Sequence, residues 1–373
     1  MDVLTWDSLI ERLSCLEGRV PNAQEYRELS DIVTEHPLAR DLANMDPFSA
    51  EYRDAAMKLY LNLRGRGDGG YDVARDECTQ STMPPDLWTG LPPWSFRDLR
   101  LISEFVFSWA QIMRLLEVKP GDHVIEYGPG SGQLLLMLAR SGVKAYGVDI
   151  DEPSLAAIRE QARILQLDVS LERNVFGEGF GEQIFDGIVF FEAFHHAFDF
   201  EFLLRRLRER VRLGGRIVLS GEPVVPHPIP HVPYPWGPRL DGLSIFCIRR
   251  YGWMELGFTQ NFLSEAFWRA GWQLESHPFP LCGRAAAYVA TRLSDQVIAT
   301  LNAERDAAEA GRRRAELERD AAETARRCLE AERNQALALV DAFRSSTSWR
   351  VTTPIRWLGA ASTKFKRSRR NPR

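Results

Sequence analysis

The segment Val124-Ile125-Glu126-Tyr127-Gly128-Pro129-Gly130-Ser131-Gly132 constrains this chain more than any other. It predicts a short buried strand that ends at Glu126, a glycine turn, and a helix starting near Gln133. The alternate spacing of the glycines separates two kinds of nucleotide pocket. A dinucleotide turn reads G-x-G-x-x-G and seats a pyrophosphate on the helix N-terminus. Here the pattern is E-x-G-x-G-x-G. A carboxylate at the start of such a turn repels a pyrophosphate and suits a ligand that carries an ammonium group. An NAD-linked oxidoreductase is therefore disfavoured.

A second apolar run, Lys144 to Val148, ends in Asp149, 23 positions after Glu126. That distance fits one strand–helix–strand unit. An acid at the tip of the second strand can accept both hydroxyls of a ribose, a charge-assisted contact of roughly 1.5–3 kcal/mol. The plainer reading of Asp149 is a helix N-cap, but Asp151, followed by Glu152-Pro153-Ser154, fits that role better.

With both motifs in hand, residues 96–293 resemble the class I S-adenosylmethionine-dependent methyltransferases. The resemblance implies an α/β fold: a seven-stranded Rossmann-like sheet whose last strand is antiparallel, here flanked by an N-terminal helical segment and a long C-terminal helix. It implies S-adenosyl-L-methionine as cofactor, held by Glu126, Gly128, Gly130, Gly132 and Asp149, with Asn174 and Glu192 also on the cofactor side. Many members carry an acid after the third strand to reach the adenine amine; this chain has Asn174 there. Residues 167–174, 185–192 and 211–220 match the third to fifth strands, with Gly214-Gly215 as a turn between helix and strand. Trp272–Glu275 and Ala285–Ala290 match the last two.

Ligands of open α/β sheets bind at the carboxyl ends of the strands. Two stretches with reactive side chains fall there. The first is Glu192-Ala193-Phe194-His195-His196. A neutral imidazole of His195 or His196 can take the proton of an acceptor hydroxyl; the plainer reading is packing. The second follows the fifth strand and holds seven prolines between 223 and 238, with Glu222, His227, Tyr234, Trp236, Arg239 and Asp241 around them. So many prolines make a stiff loop. Its aromatic faces and charges suggest an acceptor wall, and its plainer reading is a structural cover. No carboxylate triad typical of metal-assisted methyltransferases is visible, so no metal is expected.

Residues 1–95 contain helix-like spacing at 31–34 and 50–60 and breaks at Gly65–Gly70 and Met83–Trp94. Such a helical segment suits a cover over the cofactor pocket or packing on the sheet edge. A long apolar helix is predicted over about 98–117. The N-terminus has no basic-then-apolar leader, no run of 18 apolar residues occurs, and five scattered cysteines form no C-x-x-C pair. A cytoplasmic protein is expected.

Residues 294–344 predict a long charged helix. Positions 301, 308, 315, 322, 329, 336 and 343 are all apolar, while the partner stripe is interrupted by Glu304, Gly311 and Glu318. A homo-oligomer through a coiled coil is one reading and a solitary helix the other. Residues 345–373 form a basic tail: nine basic and no acidic residues from Arg344 onward leave about −13 on the rest, from −4 minus +9. Within it, Ser346 to Arg356 resembles the S-x-S-W-R-x-T-x-P-[LI]-R tail of bacterial glycosyltransferases and associated surface-polysaccharide proteins. Basic residues among Trp349, Ile355, Trp357 and Leu358 suit peripheral contact with an anionic membrane; nucleic acid is not expected. The resulting expectation is O-methylation of a sugar of a bacterial cell-surface or extracellular polysaccharide, lipid-linked or nucleotide-activated. The alternatives are a methyltransferase for a small secondary metabolite or lipid, and an inactive scaffold with the same fold.

Overall fold

The computed structural model describes residues 2–16, 21–67, 69–78, 84–352 and 354–356. The chain divides into two compact units, 1–298 and 299–373.

Unit 1 is built on seven strands: β1 His123–Tyr127, β2 Lys144–Asp149, β3 Val169–Arg173, β4 Phe185–Phe191, β5 Val211–Ser220, β6 Trp272–His277 and β7 Ala287–Arg292. Their order in the sheet is β6-β7-β5-β4-β1-β2-β3. Strands β1 to β5 pair in parallel, and β7 runs antiparallel between β5 and β6. This is the expected seven-stranded methyltransferase sheet. Between β1 and β4 the chain order reverses, with β1 leading outward to β2 and β4 leading the other way; open α/β sheets bind their ligands at such a switch point.

Helices α1 Leu99–Leu116, α2 Gln133–Arg140, α3 Glu152–Leu165, α4 Phe200–Arg210, α5 Gly242–Arg250 and α6 Gln260–Arg269 surround the sheet and its extensions. Asp151 caps α3 as expected, accepting from Ser154 N at 3.1 Å. Two local expectations change. Residues 32–34 are a strand paired in parallel with Asp2–Leu4, because Ile32, Val33 and Thr34 are β-branched and buried. Gly214 and Gly215 do not separate a helix from a strand. They lie within β5, at a register shift against β4, where Gly214 has φ 75°.

The proline-rich stretch is also more structured than a loop. Val224–Val225 and Trp236–Pro238 flank Leu256–Thr259 in a small three-stranded sheet. The helix Ala50–Arg64 docks on this extension: Tyr52 Oη donates to Trp236 O at 2.6 Å, and the buried Tyr60 donates to Gly252 O. The N-terminal segment therefore shares a core with the chain that follows β5.

Helix α7 runs Asp295–Ser345, and from Ala299 onward it belongs to unit 2. None of its residues is buried, with Leu317 and Leu329 about two-thirds exposed. Ion pairs at i,i+4 spacing, such as Arg327–Glu323 at 2.7 Å, decorate it. A helical turn, Thr347–Val351, follows, and the Arg356 guanidinium stacks on Trp349 at 3.6 Å from the ring centroid. Trp357, Leu358 and the basic residues beyond them lie outside the described residues. Among the described residues no helix is long and apolar enough to cross a membrane.

Candidate active site

The β1–α2 turn forms as the sequence predicts. Gly128, Gly130 and Gly132 all have positive φ, at 68°, 51° and 74°, a backbone region costly to residues with a Cβ. The three serve different purposes. A Cβ on Gly132 would lie 2.4 Å from Ile158, so this glycine lets the turn close onto α3. A Cβ on Gly130 would meet nothing within 4 Å, so this glycine faces open space at the strand ends. The turn is pinned from behind by a chain of amides. Trp94 Nε1 donates to Gln133 Oε1 at 3.2 Å, Gln133 Nε2 to Gln161 Oε1 at 2.9 Å, and Gln161 Nε2 to Ser131 O at 3.1 Å.

Two carboxylates lie beside this turn, Asp149 within reach of the Gly130 N–H and Glu126 near Asp149. Glu126 is 2% exposed and its Oε2 has no hydrogen-bond partner. Burial, and then the nearby Asp149 charge, push its pKa up to about 8. Asp149 accepts from Asp151 N at 2.9 Å, and burial raises it to about 6 against the opposing pull of backbone N–H groups. A buried carboxyl with an orphaned oxygen beside a bare glycine cradle fits a ligand that brings its own cation.

Asn174 is engaged locally. Its Oδ1 accepts from Val175 N at 2.9 Å and its Nδ2 donates to Glu172 at 3.0 Å. Glu192, at φ 51°, forms an ion pair with Arg284 and packs its Cγ against Gly221, where a Cβ would come within 2.4 Å.

At the ends of β4 and β5 the two histidines enter a buried network. Glu222 accepts from Ala193 N and Phe194 N on one oxygen, and from His195 N and His195 Nδ1 on the other, the last at 2.8 Å. Burial would raise Glu222, but the His195 ring and these N–H donors hold it below the usual carboxylate range. An ionised Glu222 fixes the proton of His195 on Nδ1 and turns Nε2 away, to 3.8 Å from Glu255 Oε2. His196 stacks beside His195, with centroids 4.3 Å apart, and its Nδ1 lies 3.0 Å from Glu77 Oε2. Burial opposes charge on His196, yet Glu77, Glu255 and Glu222 outweigh it and raise its pKa to about 9. Glu255 in turn pairs with Arg239.

The expected acceptor wall is thus largely revised. Tyr234 and Trp236 are fully buried. Tyr234 spends its hydroxyl on Pro238 O, and Trp236 spends Nε1 on Pro47 O at 2.8 Å, with its ring among Tyr52, Phe200 and Phe262. Neither presents a ring face to a sugar, because the stretch folds inward as a small sheet. Asp241 caps α5 by accepting from Ser244 N at 2.9 Å. Arg239 is committed to Glu255, Glu222 buttresses the histidine turn, and His227 is exposed.

No motif marked Glu77, Glu255, Gln161 or Arg284 in the sequence. Glu77 arrives from the N-terminal segment, held by Tyr71 Oη at 2.8 Å and Met254 N at 2.7 Å. Its neighbour Cys78 reaches Asp151 at 3.4 Å. Glu77 and Cys78 therefore touch residues that follow β4 and β2.

Residues 96–277 match a family model described as a methyltransferase domain. This part of the chain resembles a methyltransferase domain. The domain is similar to the ribosomal protein L11 methyltransferase of Cupriavidus necator, 33% identical over 105 residues, or 28% of this chain and 33% of that one. It is also similar to the S-adenosyl-L-methionine-dependent Diels-Alderase iccD of Talaromyces variabilis, 27% identical over 140 residues, covering 36% and 45% of the two chains. A crystal structure of 1,6-didemethyltoxoflavin-N1-methyltransferase from Burkholderia thailandensis aligns with 54% of this chain and 83% of its own, at 20% identity and a TM-score of 0.41. The chain spans only about a third of the length of the L11 methyltransferases it matches.

Proposed function

We propose that the protein is an S-adenosylmethionine-dependent methyltransferase acting on a hydroxyl of a bacterial glycan, lipid-linked or nucleotide-activated. The observation that carries the methyl-donor part is the orphaned, buried Glu126 oxygen beside the open face at Gly130. Glu126 would hold the ammonium group, Asp149 the ribose hydroxyls, and the turn 128–132 would let the ligand approach the backbone. When bound, S-adenosylmethionine supplies a methyl group on a sulfonium centre, already activated for transfer. The protein then has mainly to place the acceptor in line and ease the loss of its proton.

In the metal-free protein His195 is the group placed for that second task, with His196 beside it drawn toward its charged form by its carboxylate neighbours. They stand at the end of β4, next in the sheet to β1, and Glu222 fixes the ring of His195. Glu77, from the N-terminal segment, touches His196.

The glycan acceptor rests on the tail resemblance at Ser346–Arg356. The same tail, with its basic residues, supports placement near an anionic membrane, and the apolar stripe of α7 supports a homo-oligomer. Small-molecule or macromolecular acceptors, such as those in the relatives' names, are the competing reading.

Titration calorimetry with S-adenosylmethionine and S-adenosylhomocysteine tests the donor. We expect micromolar binding that Asp149→Ala weakens by about 10- to 100-fold, the loss of one charge-assisted contact. Labelled donor with surface-glycan precursors, set beside small-molecule acceptors, tests the acceptor. No donor binding in a folded sample refutes the methyltransferase reading; turnover confined to small-molecule acceptors refutes the glycan.

A further inference from the structure

The network at the ends of β4 and β5 gathers more carboxylates than guanidinium groups, and they draw His196 toward its charged form. Glu77, Glu222, Asp241 and Glu255 bring four carboxylates, with side chains at most 10% exposed, against one guanidinium, Arg239. Glu222 is met by three backbone N–H groups and an imidazole N–H, and Asp241 by the start of α5. Glu77 is met by Tyr71 Oη and Met254 N and Glu255 by Arg239, and each of these two carboxylates also faces a histidine ring nitrogen.

We propose that His195 and His196 with Glu255, and Glu77 beside His196, form a binding site for a first-row divalent cation, best matched by zinc. One donor atom from each of His195, His196 and Glu255 lies within 4.8 Å of the others. Zinc bonds of about 2.0–2.2 Å put two ligands of a tetrahedral ion about 3.5 Å apart, so closing the site takes about an ångström of side-chain movement. Two imidazoles and one or two carboxylates are a ligand set that zinc accepts.

A second observation points the same way. His195 donates Nδ1–H to a buried carboxylate and so offers Nε2 as the ligand atom. That carboxylate–histidine arrangement is how metal-binding imidazoles are oriented. His196 Nδ1 is buried 3.0 Å from Glu77 Oε2, yet makes no aligned hydrogen bond to it. Arg239 already takes one oxygen of Glu255, and a carboxylate has lone pairs enough for both partners. The site joins the histidine turn to residue 77 of the N-terminal segment and to the residue before Leu256, three stretches distant in sequence. No motif spacing marks it.

The test uses the full-length chain without a polyhistidine tag, stripped with a chelator and then titrated with Zn²⁺ against a chromophoric competitor. Cobalt substitution supplies a visible d–d spectrum. We expect one ion per chain at micromolar affinity or tighter, lost in His195→Ala and in Glu255→Gln. Glu222→Gln, which touches the backbone of the histidine turn and the nitrogen of His195 that does not face the site, should weaken binding by about 10- to 100-fold. Circular dichroism establishes that each variant is folded. Absence of stoichiometric uptake by the folded wild type overturns the proposal, and so does uptake unchanged in folded His195→Ala or Glu255→Gln. The assay contains neither donor nor acceptor, so its failure leaves the methyl-transfer reading intact.

Discussion

Replacing Glu126 with glutamine should strengthen the ligand-free fold and weaken donor binding at once. The carboxyl is buried, and its pKa rises from 4.5 to about 8. An acid whose folded pKa lies above its unfolded one costs stability when the pH exceeds the unfolded value. Here the cost is absent below pH 4.5, grows between 4.5 and 8, and is complete above 8. At pH 7 it amounts to 2.5 pH units at 1.36 kcal/mol each, on the order of 3 kcal/mol. Glu126→Gln removes it, so the variant should unfold later in urea at pH 7, with the difference vanishing near pH 4.5.

Donor binding should respond in the opposite sense. An ammonium ligand selects the ionised carboxylate, which at pH 6 is about 1% of the population for a pKa of 8 and at pH 7 about 9%. Affinity should therefore climb by about tenfold from pH 6 to 7. It should level near pH 8, where the ligand's own α-amino group, with a pKa of about 7.7–8.0, begins to lose its proton. In Glu126→Gln the climb should be absent and affinity at pH 8 lower by about 10- to 100-fold. Calorimetry with S-adenosylhomocysteine across pH 6–8.5 reads both effects. A wild-type affinity flat from pH 6 to 7, or a variant less stable than wild type at pH 7, would refute the assignment of Glu126 as a buried acid with one unpartnered oxygen that receives the ammonium.

The turn glycines should separate folding from binding. Gly132→Ala drives a Cβ to 2.4 Å from Ile158 at positive φ, so melting should fall by the equivalent of about 1–3 kcal/mol. Gly130→Ala meets no neighbour, so its stability loss should stay near the backbone strain of about 1 kcal/mol while donor affinity collapses. Trp236→Ala should behave as a core truncation, costing about 3–5 kcal/mol in chemical denaturation; a folded, stable variant with only a raised acceptor KM would restore Trp236 to the acceptor wall.

The donor half of the site was legible because it is local. Glu126, the three glycines and Gln133 lie within eight residues, and the backbone conformation of the turn is written in the residue types that permit it. Asp149 and the Asp151 cap follow one strand–helix–strand unit later, where periodicity still fixes the register. The acceptor half was not legible, because long-range contacts decide it. Tyr234 and Trp236 look like a stacking surface until the chain from Val224 to Thr259 folds into a small sheet that buries them beneath the helix Ala50–Arg64. Asp241 and Glu222 look like substrate ligands until a helix start and a turn of backbone N–H groups claim them. Glu77 and Glu255 carry no motif at all, being 178 residues apart in the chain, and only the packing of the N-terminal segment across the strand ends brings them to the same two imidazoles. Backbone preference and hydrophobic period act over a few residues, and so the sequence determined the sheet and the donor turn. Burial and charge pairing act between surfaces that exist only after folding, and so the tertiary structure decided which polar side chains are left to do chemistry.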